Sequence, residues 1–450
     1  MILQNNFKNF NDIQESEITF LPLFFRLFFP PIKVLVRIFF LFFLFLFSTK
    51  TFAQSSVSLQ ECEDAFLKNN LLLLAQQYNI DIAKTNVVQA KIWELPYVYT
   101  EFNAVNPQNR RFADVGAQGE KIFSVQQLIY LGGKKKNEVE FAKSNVEIAQ
   151  LEFEQLLRNL RFELHQNFYT LYFEQQKIQT LKAQLTNLDT LINAYSAQVE
   201  KGNMPLKDVI RLQSLSFSLQ NDLLEIQKTC NQAQQIISLF TGFLQPITLK
   251  NVETEVQNFY TKTISISTDS LVALSLSQNP EYLTYQKIIE SDYLMLKWQK
   301  SLATPDLNLG ASYDQMGGAF QNQVNLTLGI PLPLWNRNKG NIQAAQIQIE
   351  QSKKQQDFKK NELQSLVENA YLNWQNQYNQ YKSLQNSTTD NLNTVYRGML
   401  QNFQRGNISL LEFTDFMESY NENNLLINEV KKQLVLMGEQ VNYITNTRIF

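Results

Sequence analysis

Histidine is nearly absent: the 450-residue chain has one, His165, beside only two cysteines and seven methionines. A soft-metal site needs several such side chains converging, so no clustered metal centre is expected. Cys62 and Cys230 are too few for a disulfide framework, and Ser58-Leu59-Gln60-Glu61-Cys62 is no lipobox, so each cysteine is expected to pack as a small apolar residue. Glycine and proline are scarce as well, at 14 and 11, so the chain has few places to turn and its elements must be long. Charged residues make up 18% of the chain, below the ~25% of an ordinary soluble protein, and Gln, Asn and Ser fill the gap. The net charge of −2 comes without any clustered Lys/Arg surplus, which excludes a nucleic-acid partner. No Gly-rich loop ends in Gly-Lys-Ser/Thr, and His165 reads as an ordinary helix residue. Neither a phosphate loop nor a nucleophile with its base is present, so no catalytic residue, cofactor or resident metal is expected, and an enzyme is the wrong class.

Long apolar runs are missing too. The run at residues 38–47 is about half of the ~20 residues that a membrane-spanning helix needs. Lys33 and Arg37 precede it and Thr51-Phe52-Ala53 follows, the pattern of a secretory signal. Residues 1–53 are therefore read as an N-terminal extension plus signal peptide, with the mature chain starting near Gln54. A second apolar patch at 20–29 suggests a misplaced start site.

What is present is written twice. Asn70 and Pro96 recur as Asn279 and Pro305 with the same interval, and Lys201-Gly202-Asn203 recurs as Arg405-Gly406-Asn407. The first register pairs Cys62 with Leu271; the second pairs Cys230 with Leu434, so both cysteines have apolar counterparts. Each copy opens with two helical stretches, 59–69 and 71–94, echoed by 270–278 and 280–302. Each then switches to period 2. Leu307, Leu309, Ala311 and Tyr313 alternate with Asn308, Gly310, Ser312 and Asp314, and Val324, Leu326, Leu328 and Ile330 alternate with Gln323, Asn325, Thr327 and Gly329. That is a hairpin with one apolar and one polar face. In the first copy the strands are read at 97–104 and 121–130, with Val98, Thr100 and Phe102 on one and Phe123, Val125 and Ile129 on its partner.

A very long helix follows each hairpin. Residues 134–201 contain no Gly or Pro, and Leu157, Leu164, Leu171, Ile178, Leu185, Ile192 and Val199 form a heptad seam beside Leu160, Leu181, Leu188 and Tyr195. At 1.5 Å per residue such a helix reaches roughly 100 Å. Residues 341–405 repeat it, interrupted only by Gly398. Gly202-Asn203-Met204-Pro205 and Gly406-Asn407-Ile408-Ser409 then reverse the chain into helices 206–241 and 410–446. The domain plan is a first repeat at 54–242, a connecting equatorial segment at 243–268 and a second repeat at 269–450.

An exported chain with strands of this length fits an outer-membrane barrel, whose strands need about 9–11 residues. Two hairpins cannot close on themselves, and open edges are not tolerated in lipid, so chains must pool them. At this point the order of parts over residues 57–446 resembles the TolC family of outer-membrane factors. Residues 330–340, Ile-Pro-Leu-Pro-Leu-Trp-Asn-Arg-Asn-Lys-Gly, resemble the strand-to-helix junction of its heavy-metal (cobalt-zinc-cadmium) resistance branch, and residues 127–134 are the first-copy version. The resemblance implies a mainly α fold with a membrane β-barrel portion: a homotrimer with a twelve-stranded barrel over a twelve-helix periplasmic tunnel. It implies an outer-membrane exit duct of a tripartite efflux system, joined to a periplasmic membrane-fusion adaptor and an inner-membrane pump of RND or ABC type. Leu307, Leu309, Val324, Leu326 and Leu328 are then lipid-facing, and Gly202, Asn203, Gly406 and Asn407 form adaptor-docking turns. Family members carry lumen-facing carboxylates at the positions of Glu412 and Asp415, an acidic ring at the periplasmic entrance, to which Asp208 is the first-copy candidate. The bland reading of the pair is helix-end charges favoured by the dipole. Ile408 stands where the family has an Arg that restrains the closed tip.

The cargo stays open between metal ions, drugs and a polypeptide of type I secretion. A trimeric coiled-coil adhesin would have consecutive strands at the C-terminus, and a periplasmic scaffold would not need the alternation at 307–330.

Overall fold

The computed structural model describes residues 56–262, 266–385 and 389–450, with the side chains of 389–391 excepted; the expected extension and signal at 1–53 lie outside the described residues. The chain begins with β1 (Ser56–Val57), α1 (Leu59–Asn69) and α2 (Leu71–Lys91). Ser58 and Glu61 form a capping box at the start of α1, and Asn70 breaks α1 from α2 by accepting from the N–H groups of Leu72 and Leu73. The same device recurs where α6 (Thr268–Gln278) meets α7 (Pro280–Leu302): Asn279 accepts from Glu281 and Tyr282, with Pro280 in the first turn, where a missing N–H costs nothing.

The first hairpin is β2 (Tyr97–Phe102) with β3 (Glu120–Ile129), and the second is β5 (Leu307–Met316) with β6 (Phe320–Gly329). They join into one antiparallel sheet of order β2-β3-β5-β6, so the β3–β5 ladder ties the two halves together. Its register places Leu309 opposite Leu328, Ala311 opposite Leu326 and Tyr313 opposite Val324, then Val125 opposite Ala311 and Phe123 opposite Tyr313. Directly opposed residues share a face, so the apolar alternation of all four strands converges on one side.

Helix α3 (Lys134–Glu200) starts at Gly133, in the left-handed region at φ 72°, and runs unbroken for 67 residues. Leu164 and Leu171 of the expected seam are fully buried, as are Leu181 and Leu188 of its neighbour, and Leu160 is buried beside them. The chain returns through α4 (Leu206–Thr241), which Gly242 ends at φ 76°. Residues 243–268 are more than a connection. They supply β4 (Thr248–Leu249), parallel to β1, and α5 (Val252–Thr261), whose Val252, Val256 and Phe259 are buried. Phe259 stacks on the C-terminal Phe450.

After the second hairpin come α8 (Lys339–Gln385), α9 (Thr389–Gln404) and α10 (Leu410–Thr445). The helix expected over 341–405 is thus described as two elements on either side of 386–388, and Gly398 does not interrupt it: the residue sits inside α9, with nothing near the place its side chain would occupy. Two main apolar cores result. One gathers α1, the middle of α3, α5 and the ends of α4 and α10; the other lies where α3, α4, α9 and α10 approach the turns. No described helix is long and apolar enough to cross a membrane.

Candidate functional site

Both reversals use one backbone solution. At the end of α3 the Asn203 N–H returns to Gln198 O and the Gly202 N–H to Val199 O, both at 2.9 Å. At the end of α9 the Asn407 N–H returns to Asn402 O at 2.9 Å and the Gly406 N–H to Phe403 O at 3.0 Å. This paired closure needs a residue at positive φ, and Gly202 and Gly406 have φ 74° and 75°. Nothing lies within 4 Å of a Cβ built on either glycine, so the requirement is conformational and not one of space. Asn203 and Asn407 add side-chain bonds back to Gln198 and Asn402.

The helices leaving the turns pack through Leu212, Leu215, Phe413 and Met417, and Phe403 stacks on Phe413 with ring centroids 4.2 Å apart. Ser409 caps α10 by accepting from the Glu412 N–H at 3.2 Å, which fixes where the acidic residues emerge. Glu412 and Asp415 are exposed, and Asp208 is half-buried. Arg211 of α4 sits beside Asp415, at 3.6 Å, and also donates to Thr414. Ile408, where a restraining Arg was sought, packs against the apolar core of the turns.

In the sheet, Val324, Leu326 and Leu328 of β6 are strongly exposed, Leu309 is exposed and Leu307 half-buried. The opposite face carries a polar network: Asn308 donates to Gln126, Ser312 to Asp314, and Asn325 to Asp314.

Two features escaped the sequence reading. His165 is not an ordinary helix residue: its Nε2 lies 2.6 Å from Glu63 of α1 and its Nδ1 3.0 Å from Glu439 of α10. Burial alone would lower its pKa, but hydrogen bonds to Glu439 and Glu63 outweigh that and raise it to about 9. Nearer the turns, Glu174 and Glu429 share Lys177 and Lys432, a charged quartet between α3 and α10. Burial would raise the Glu429 carboxyl, but hydrogen bonds from Gln433, Lys177 and Lys432 hold it down at about 2. Cys62 and Cys230 are free thiols, and burial pushes Cys62 up to about 12. Cys62 and its counterpart Leu271 are both fully buried in one core. Among the described residues no group of His, Cys, Asp or Glu could hold a metal ion.

Long helical hairpins joined to a strand sheet with one apolar and one polar face define a mainly helical class of protein with a single amphipathic four-stranded sheet. The outer membrane efflux protein family matches residues 64–242 and 296–442. The chain belongs to that family, whose place is the outer membrane. The cobalt-zinc-cadmium resistance protein CzcC of Cupriavidus metallidurans is 20% identical over 291 residues, a span of 64% of this chain and 65% of that protein's length. A crystal structure of CusC matches with a TM-score of 0.69 at 15% identity, over 89% of this chain and 95% of the other. The open state of the Neisseria gonorrhoeae MtrE outer membrane channel matches with a TM-score of 0.69 at 11% identity, over 87% and 89%. At these identities the likeness to the solved structures is one of fold.

Proposed function

We propose that three copies of this chain assemble into the outer-membrane exit duct of a tripartite efflux system. The observation that carries the reading is the four-stranded sheet, in which β2 and β6 each pair on one side only while one face is apolar. An unsatisfied strand edge in hydrocarbon costs several kcal/mol per group, and pooling the sheets of three copies into a twelve-stranded barrel removes every edge. Leu307, Leu309, Val324, Leu326 and Leu328 then meet lipid, and the Asn308, Asp314 and Asn325 face lines the lumen. The repeats at 54–242 and 269–450 each contribute one hairpin and one pair of long helices, with 243–268 as an equatorial segment between them. Helices of roughly 100 Å carry the path through the periplasm.

The turns at Gly202-Asn203 and Gly406-Asn407 dock a membrane-fusion adaptor, itself joined to an inner-membrane pump of RND or ABC type. Glu412 and Asp415, with Asp208, ring the entrance and concentrate cations there. The duct is passive and performs no catalysis. Metal cations are the favoured cargo because the CzcC name is one of cobalt, zinc and cadmium resistance. Loss of the chain should sensitise cells to these three cations, and resistance unchanged by its loss would remove the metal reading. The purified chain in a planar bilayer should conduct ions without an energy source, and a bilayer that stays silent would contradict the duct.

A further inference from the structure

A cleft of about 360 Å³ opens between α1, the middle of α3, α5 and the end of α10, and the duct reading makes no use of it. Arg158, Arg161, His165 and Arg448 line it on the cationic side, against Glu63, Glu255 and Glu439. The opposing groups are not evenly paired. Glu63 and Glu439 lie 2.6 and 3.0 Å from His165, and Glu63 stands farther, at 3.8 Å, from the Arg161 Nε. Burial pushes the Glu255 carboxyl up, towards its neutral form, and its Oε2 has no hydrogen-bond partner.

That leaves the guanidinium groups underserved. Arg158 has only 6% of its side chain exposed, and its Nη2 reaches Asn159 at 3.2 Å and the Tyr443 hydroxyl at 3.4 Å. The carboxylate facing it, Glu281, is 3.6 Å away and is bound more closely by Lys359 at 2.5 Å. Among the described residues, Nε and Nη1 of Arg158 and Nε of Arg161 find no acceptor within hydrogen-bonding distance, and they are closed to bulk water as well. Buried donors without partners are rare in native proteins and call for a partner, which an ordered water, an ion or a ligand can supply. The Arg158 Cζ lies over the Tyr443 ring, 4.5 Å from its centroid, and Phe162 stacks on the same ring. Arg161, with 42% of its side chain exposed, is the arm that can swing onto an entering group.

We infer that this cleft binds a small oxyanion, a carboxylate or a phosphate, through Arg158 as the fixed guanidinium and Arg161 as the mobile one. A guanidinium gives the oxygens of such a group charge-assisted hydrogen bonds, which Arg158 can supply from its Nε and Nη1. The Phe162 and Tyr443 rings offer an apolar wall to whatever carries it. The site ties α1, α3 and α10 together at the His165 cluster, and it does not depend on what the duct conducts.

The test is a titration of the detergent-purified full chain with inorganic phosphate and, separately, with citrate, each against chloride at equal ionic strength. Saturable heat of binding is expected for at least one of them, with a Kd of about 1 mM or tighter, together with a raised thermal midpoint. Binding by phosphate alone assigns phosphate carriers, and by citrate alone carboxylate carriers. Arg161→Gln should weaken binding at least tenfold while leaving the helix content unchanged, which separates ligand loss from misfolding; Arg158→Gln should weaken it too, but that residue also faces Glu281. Two outcomes overturn the inference. One is a flat titration with both anions, as when a carboxylate of a second copy already fills the cleft. The other is Arg161→Gln binding as well as the parent chain.

Discussion

Arg211 reaches from α4 to α10, where its Nη2 lies 3.6 Å from Asp415 Oδ1 and its Nε donates to Thr414 Oγ1 at 3.1 Å. The two turns are thereby linked by a cation next to one of the carboxylates proposed for the entrance. The pair is solvent-exposed, so its worth to stability is small, about 0–1 kcal/mol. Its larger effect is on local field. Arg211→Gln should raise cation selectivity and cation block of single-channel current, whereas Glu412→Gln with Asp415→Asn should lower both, each change fading at high salt. Currents indifferent to all three substitutions would put these carboxylates on the outer wall.

The sheet faces can be told apart by a single charge. Arg in place of Leu326 should cost roughly 2–4 kcal/mol if it meets lipid near the bilayer midplane. Arg in place of Asn325 lands beside Asp314, the present partner of Asn325, and should be tolerated. The readout is the amount of heat-labile oligomer recovered from outer membranes, and equal losses from the two variants would show that the faces are misassigned.

At the turns, Val in place of Gly202 or Gly406 must adopt a left-handed backbone that costs a side-chain-bearing residue roughly 1–2 kcal/mol. Efflux should fail while outer-membrane insertion persists. Asn visits that region readily and meets open space at both sites, so Gly406→Asn should retain function. If Asn fails as completely as Val, the demand is steric contact with a partner and not backbone conformation.

His165 gives the fold a pH signature. Its pKa is raised from 6.5 to about 9 in the folded chain, so the stabilisation is complete below about pH 6.5 and is lost as pH rises through about 9. The magnitude is on the order of 3 kcal/mol. The thermal midpoint should fall between pH 7 and 10 in the parent chain and stay nearly flat in His165→Gln, which starts lower. Parallel slopes for the two proteins would mean that another group governs that window.

Much of the scaffold was legible because its signals are local. The Gly- and Pro-free stretch 134–201 marked α3 to within a residue, and the Leu307 and Val324 alternations marked the second hairpin. The paired Gly-Asn steps located both reversals. What was missed depends on distance. Glu63 and Glu439 lie 102 and 274 residues from His165, so no window of sequence joins the three. Helix α5 was passed over as a linker, although Val252, Val256 and Phe259 carry helical spacing, because one short apolar face has meaning only once Phe450 returns to cover it. Gly398, expected to interrupt the second long helix, lies inside α9 instead. The free donors of Arg158 are likewise a property of packing, invisible to composition.

The central claim is that a sheet with two unpaired edges completes itself by pooling with copies of its own kind. Its most direct test is the mass of the chain extracted from outer membranes in mild detergent, measured by light scattering or native mass spectrometry after subtracting bound detergent. Three chains per particle are expected, dissociating on heating and trapped as three by cross-linking. A particle that stops at two chains, or a stable monomer, would contradict it.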